Sequence, residues 1–173
     1  MINTIELLSP ARDLICGMAA IDHGADAVYI GANKFGARAS AGNSIDDIEK
    51  LCQYAHPFGA KVYVTVNTII YDNEIQETVD LVKKLEDIGV DAILLQDLGL
   101  LQTLRENGVN IPVHASTQTD NRTIEKVKWL ASLGVKRVVL ARELSIQEIA
   151  DIHNAVPDIE LEVFVHGALC VSY

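Results

Sequence analysis

The chain has 173 residues, 49% of them hydrophobic, which suits one soluble α/β domain with a sizeable core. No apolar run approaches the ~20 residues of a membrane span, and "MINTIELLSPARD" lacks the basic and apolar regions of a signal peptide, so a cytoplasmic protein is expected. The formal net charge of −10 repels a polyanion from the molecule as a whole, so an RNA partner would need a local basic patch or another domain.

Short β-rich runs alternate with helical patterns along the chain. The pattern predicts strands at Ile5–Leu8, Ala27–Ile30, Lys61–Asn67, Ala92–Gln96, Val113–Ser116, Arg137–Ala141 and Glu160–Val165. Helices are predicted near Ala11–His23, Ser44–Phe58, Asn73–Ile88, Leu98–Asn107, Thr123–Leu133 and Ser145–Ala155. Ser9-Pro10 reads as a cap followed by a proline at the first helical position, and Ser145 with Glu148 as a capping box. Gly24, Gly59, Gly89, Gly108 and Gly134 mark helix ends. The segments "HGADAVYIGA", "IGVDAILLQD" and "LGVKRVVLAR" repeat one unit of turn glycine, polar residue and buried strand. Such alternation gives a parallel sheet with helical crossovers. An open doubly wound sheet would carry a glycine-rich phosphate fingerprint after its first strand, and "LLSPARD" has none, so a TIM-like (β/α) barrel is expected.

Strand parity supports the barrel. Val62, Val64 and Val66 share one face of the third strand, and Tyr63, Thr65 and Asn67 the other. Glu6 with Leu8, His114 with Ser116 and Gln118, and Glu162 with Phe164 and His166 form similar sets. A strand covered on both faces by helices reads as nearly continuously apolar, so the polar sets belong inside a barrel, rising toward its C-terminal mouth. A complete barrel has eight strands and ~250 residues. This chain supplies seven strands and reads as the N-terminal part, residues 1–173, of a barrel domain truncated after about seven strands.

The candidate site gathers Glu6, Tyr29, Arg38, Asn67, Gln96, His114, Gln118, Arg142, Glu143 and His166 around one concavity at the mouth. Glu6, His114, Glu143 and His166 are the candidate catalytic groups. Tyr29, Arg38, Asn67, Gln96, Gln118 and Arg142 are the candidate substrate-binding groups. The long loop "GANKFGARASAGNS" brings Lys34 and Arg38, and Arg12, Arg122 and Arg142 lie on the same face. Arg38 and Arg142 suit a phosphate or carboxylate, which guanidinium binds bidentately. Arg142 and Glu143 could instead pair with each other. His114, Glu143 and His166 could form a two-histidine, one-carboxylate metal site. There is no G-x-S-x-G, H-E-x-x-H or P-loop, and no lysine at a strand's C-terminal end for a Schiff base. Cys170 and His166 are the sole plausible nucleophile–base pair for a protease, and nothing in the sequence orients the histidine. Cys16 and Cys52 fall inside helical patterns as small buried hydrophobes.

The segments "ELLSPA", "DAVYIGANKFGARASAGN", "HASTQ", "VVLAREL" and above all "EVFVHGALCVSY" resemble family thirty-two of the peptidases of unassigned catalytic type, the collagenase-like proteases. The resemblance covers nearly the whole chain and implies a TIM-like barrel. It implies one of two activities. Some members are described as peptidases; others act in oxygen-independent hydroxylation of tRNA bases, rRNA bases or the ubiquinone ring, with a four-iron four-sulfur cluster on four cysteines. Cys170 matches the first motif cysteine of the hydroxylation proteins and would be one cluster ligand, the other ligands lying outside this chain. The expected function is RNA-base hydroxylation, with a collagenase-like peptidase and a non-catalytic anion-binding barrel as alternatives. The partner is accordingly RNA or a peptide, and the open seam between first and last strands is expected to drive self-association.

Overall fold

The computed structural model describes residues 5–32 and 42–167. Seven strands form one sheet in sequential order, each parallel to the next: β1 (Leu8–Ala11), β2 (Ala27–Gly31), β3 (Lys61–Val66), β4 (Ala92–Leu95), β5 (Val113–Ala115), β6 (Arg137–Val139) and β7 (Glu160–Glu162). The connections carry α1 (Leu14–Asp22), α2 (Ile45–Ala55), α3 (Ile75–Asp87), α4 (Leu98–Glu106), α5 (Ile124–Ser132) and α6 (Ile146–Ala155). The expected alternation is therefore present throughout.

The valines of β3 explain the layering. Val62, Val64 and Val66 are fully buried in the main core between sheet and helices, with Val28, Ile30, Ile93, Leu95, Val113, Ala115 and Val138 from neighbouring strands. The intervening residues build a second, smaller cluster on the opposite face: Ala27, Tyr63, Ala92, Leu94 and Val139, against which Leu8 and Tyr29 pack. Two faces with two separate apolar clusters are what the parity argument requires of a barrel wall.

The sheet is strongly curved, and one hydrogen bond proves it. β1 and β6 stand five strand intervals apart, which in a flat sheet is ~24 Å. Yet Arg137 Nη1, at the start of β6, donates to Glu6 Oε1, two residues before β1, at 2.6 Å. The wall must curl until its first and sixth strands face each other across the interior.

Local signals hold for most helices. Asp13, Ser44, Asp97, Thr123 and Ser145 cap α1, α2, α4, α5 and α6, each accepting from a backbone N–H of its first turn. The expected capping box of Ser145 and Glu148 is present in both directions. Gly59 and Gly134 take left-handed φ angles of 73° and 80° where the chain turns from helix to strand. Two expectations need correction. Ser9 and Pro10 do not open a helix; they lie inside β1, which starts three residues later than predicted, and the cap of α1 is Asp13. β1 is an edge strand, where a proline with no N–H is tolerated. β7 ends at Glu162 rather than Val165.

Candidate functional site

The interior has two polar levels. The lower one is built around Arg137, the first residue of β6, whose guanidinium is largely buried. Its Nη1 donates to Glu6, and its Nε and Nη2 donate to Glu160 Oε2 at 2.8 and 2.6 Å. Its Cζ lies over the Tyr63 ring, 5.3 Å from the centroid. Glu162 Oε2 stands 3.6 Å from Nη1, near enough for attraction but too far for a hydrogen bond. Glu6 also accepts from Lys61 Nζ at 3.0 Å and from the Tyr63 hydroxyl at 2.9 Å. Lys61 and Arg137 open their strands, so this network sits at the N-terminal end of the barrel, away from the mouth.

Electrostatics separates two carboxylates that share one arginine. Burial raises the Glu6 pKa, but hydrogen bonds from Arg137 and Lys61 outweigh it and hold the group at about 2. Burial dominates at Glu162 and pushes it to about 7, the attraction of Arg137 being too weak to reverse the shift. His114, on the inward face of β5, is 4% exposed, and its ring meets Tyr63 edge-on at 4.8 Å. Burial and then the charge of Arg137 depress it to about 3, so it is neutral at pH 7. Its Nδ1 and Glu162 Oε2 are buried without hydrogen-bond partners.

The upper level is the mouth. Asn67 follows β3 and donates to Ser116 Oγ, beyond β5, at 3.3 Å. Ser116 in turn caps a 3-10 turn at Thr117–Thr119 that carries Gln118. Gln96, the residue after β4, is half-buried. The fully buried Asn121 ties two strand ends together, its Nδ2 donating to the carbonyls of Ser116 and Val139 at 2.9 Å. Thr119 donates to Asn121 Oδ1. Arg142, three residues past β6, lies over the Phe164 ring, two residues past β7, with Cζ 4.0 Å from the centroid. Arg142 Nε is buried without a hydrogen-bond partner.

The structure therefore brings Asn67, Gln96, Gln118 and Arg142 to the C-terminal end and Tyr29 to the inner wall. Glu143 and His166 are exposed on the connections after β6 and β7. Glu6 and His114 belong to the lower network instead. Glu143 is not paired with Arg142, for no carboxylate stands within ion-pair distance of Arg142 among the described residues. His114, Glu143 and His166 do not gather as a metal site: among the described residues no group of three or more His, Cys, Asp or Glu side chains could hold an ion. Lys34, Arg38 and Cys170 lie outside the described residues. Cys52 is buried in α2, its thiol pushed up to about 12 by burial, and does not offer a thiolate to a metal cluster. Sequence reasoning missed Arg137, although it shares its strand face with Val139, and an arginine opening an inward series was the available signal. It also missed Asn121 and the partnership of Phe164 with Arg142.

A profile of peptidase family U32 matches residues 12–173. A 23S rRNA 5-hydroxycytidine synthase of Escherichia coli is 50% identical over 99% of this chain and 26% of its own length. The tRNA hydroxylation protein P of the same organism is 38% identical over 97% of this chain and 37% of its own. A collagenase of Porphyromonas gingivalis is 31% identical over 99% and 44%. The chain thus spans between a quarter and a half of the length of these relatives. Among solved structures, a U32 peptidase superposes with a TM-score of 0.74 at 16% identity, covering 92% of this chain and 68% of that one, which shows a shared TIM-like fold. No helix among the described residues is long and apolar enough to cross a membrane.

Proposed function

The chain belongs to peptidase family U32, and from that membership we propose that it forms the N-terminal part, residues 1–173, of a barrel enzyme that hydroxylates RNA bases without molecular oxygen. The observation that carries this reading is the 50% identity to a 23S rRNA hydroxycytidine synthase over 99% of the chain. The mouth supports it. Asn67, Gln96 and Gln118 supply amides that suit base edges, and Arg142 supplies a cation that no described carboxylate neutralises. These four, with Tyr29, Arg38, Glu143 and His166, are the proposed substrate-facing set. Glu6 and His114 support the wall from below in this reading, and RNA reaches the mouth in the cytoplasm.

A four-iron four-sulfur cluster belongs to the proposal for the complete protein, with Cys170 as one ligand. The described cysteines do not fit such a cluster, because Cys16 and Cys52 lie within helices and no group of ligands surrounds them. A peptidase would need His166 fixed beside a nucleophile, and His166 has no hydrogen-bond partner among the described residues.

The test compares nucleoside digests of rRNA and tRNA from cells with and without the complete protein. The expected result is one hydroxylated nucleoside that disappears with the protein. Identical digests, together with peptide cleavage by the purified protein, would replace this reading with the peptidase one.

A further inference from the structure

Three arginines in the described residues sit on the connections that leave the strands' C-terminal ends, and two are already neutralised. Arg12 pairs with Asp13 at 2.9 Å, and Arg122 pairs with Asp120. Arg142 is different. Among the described residues it has no carboxylate partner, its Nε is buried without an acceptor, and its Cζ lies over the Phe164 ring, 4.0 Å from the centroid. A ring face attracts a guanidinium at this range. It does not replace the hydrogen bonds that a buried N–H loses. A cation kept in that condition at the mouth is arranged for a partner that arrives with a ligand.

We infer that Arg142 and Phe164 form a stacking seat for one unpaired nucleobase of the RNA substrate. The inference rests on the RNA reading above and names the part of the substrate this corner holds. Arginine also binds phosphate through its fork, so the choice of a base rests on the aromatic partner and the neutral mouth groups. A guanidinium held 4.0 Å from the centroid of an aromatic ring places a planar fork of donors beside a second planar group. Unpaired bases are bound by stacking on aromatic rings or arginine planes and by hydrogen bonds along their edges. Phe164 remains 37% exposed, so Arg142 does not seal the residue from solvent. The mouth groups Asn67, Ser116 and Gln118 are neutral amides and a hydroxyl, which are able to hydrogen-bond base edges. The net charge of −10 also disfavours binding led by the RNA backbone.

The test uses the complete protein and two labelled single-stranded RNA hexamers with the same number of phosphates, one with a central cytidine and one abasic at that position. Wild type binds the cytidine form more tightly. Phe164→Leu lowers affinity for the cytidine form by ~10-fold, leaves the abasic form unchanged and keeps the wild-type melting temperature. Phe164→Tyr, which retains the ring, keeps the preference. Arg142→Lys, which retains the charge and loses the plane, behaves like Phe164→Leu. Equal effects of Phe164→Leu on both hexamers, or none on either, would overturn the seat and leave the RNA reading standing. Failure of wild type to bind either hexamer would remove both.

Discussion

Arg137 shows what a single residue contributes to this wall. It is buried, it bonds carboxylates from both ends of the described chain, and its loss would leave Glu6 with Lys61 as its remaining cation and strip Glu162 of the guanidinium beside it. Arg137→Ala should therefore cost about 3 kcal/mol in urea denaturation, whereas Glu160→Gln, whose carboxylate is mostly exposed, should change little. The same cluster sets a pH dependence. Glu6 falls from an ordinary 4.5 to about 2, so its contribution is present above 4.5 and lost as pH falls toward 2. His114 is depressed from 6.5 to about 3; being uncharged in the fold, it favours folding above 6.5 and loses that advantage as pH falls toward 3. Glu162 is raised from 4.5 to about 7, so its contribution is full below 4.5 and lost as pH rises toward 7. His114 and Glu162 oppose each other between 4.5 and 6.5. Chemical denaturation across that range should give a plateau in wild type, a continued rise with pH in Glu162→Gln and a decline in His114→Gln. Parallel curves for all three proteins would remove the burial argument. The inward parity of Arg137 with Val139 was a signal in the sequence, but an arginine that opens an apolar strand looks like a solvated strand end until the curl of the sheet brings Glu6 to it.

At the level of elements, the strand–helix order was readable because alternation, turn glycines and caps agree with one another from Ala27 to Ala155. β1 was misplaced for a physical reason: Ser-Pro is a strong helix-start signal locally, and only the edge position of the strand makes Pro10 acceptable within it. The inward and outward faces of β3 were read correctly from period two alone. The mouth was legible only in part. Asn67, Gln118 and Arg142 follow strand ends, whereas the contact of Arg142 with Phe164 depends on two connections that parity does not relate. Helix packing supplies its own prediction. A Cβ at Gly17 of α1 would stand 2.8 Å from Leu51 Cδ1 of α2, and Leu51 is fully buried. Alanine gains about 1 kcal/mol of helix propensity over glycine, but overpacking a sealed side chain costs ~1–3 kcal/mol. Gly17→Ala should thus lower the melting temperature despite its better propensity; a higher one would mean that α1 and α2 part easily.

For the molecule as a whole, the sheet has two outer edges, β1 and β7, each paired on one side only among the described residues. Their outward N–H and C=O groups need water or another strand. Pro10 and the three-residue length of β7 restrain such pairing, while Val163 and Val165 are exposed beside it. We expect the 173-residue chain alone to sediment as a dimer or larger species at micromolar concentration, and a monodisperse monomer with protected edge amides would contradict that. In the proposed reading RNA meets the C-terminal mouth of the barrel. Ultraviolet cross-linking of RNA to the complete protein, followed by peptide mapping, tests it directly. Cross-links are expected within 67–74, 116–123, 141–145 and 163–167, the connections at the C-terminal ends of the strands. Cross-links confined to 24–26, 59–60, 89–91, 108–112 and 134–136, at the opposite end, would contradict it.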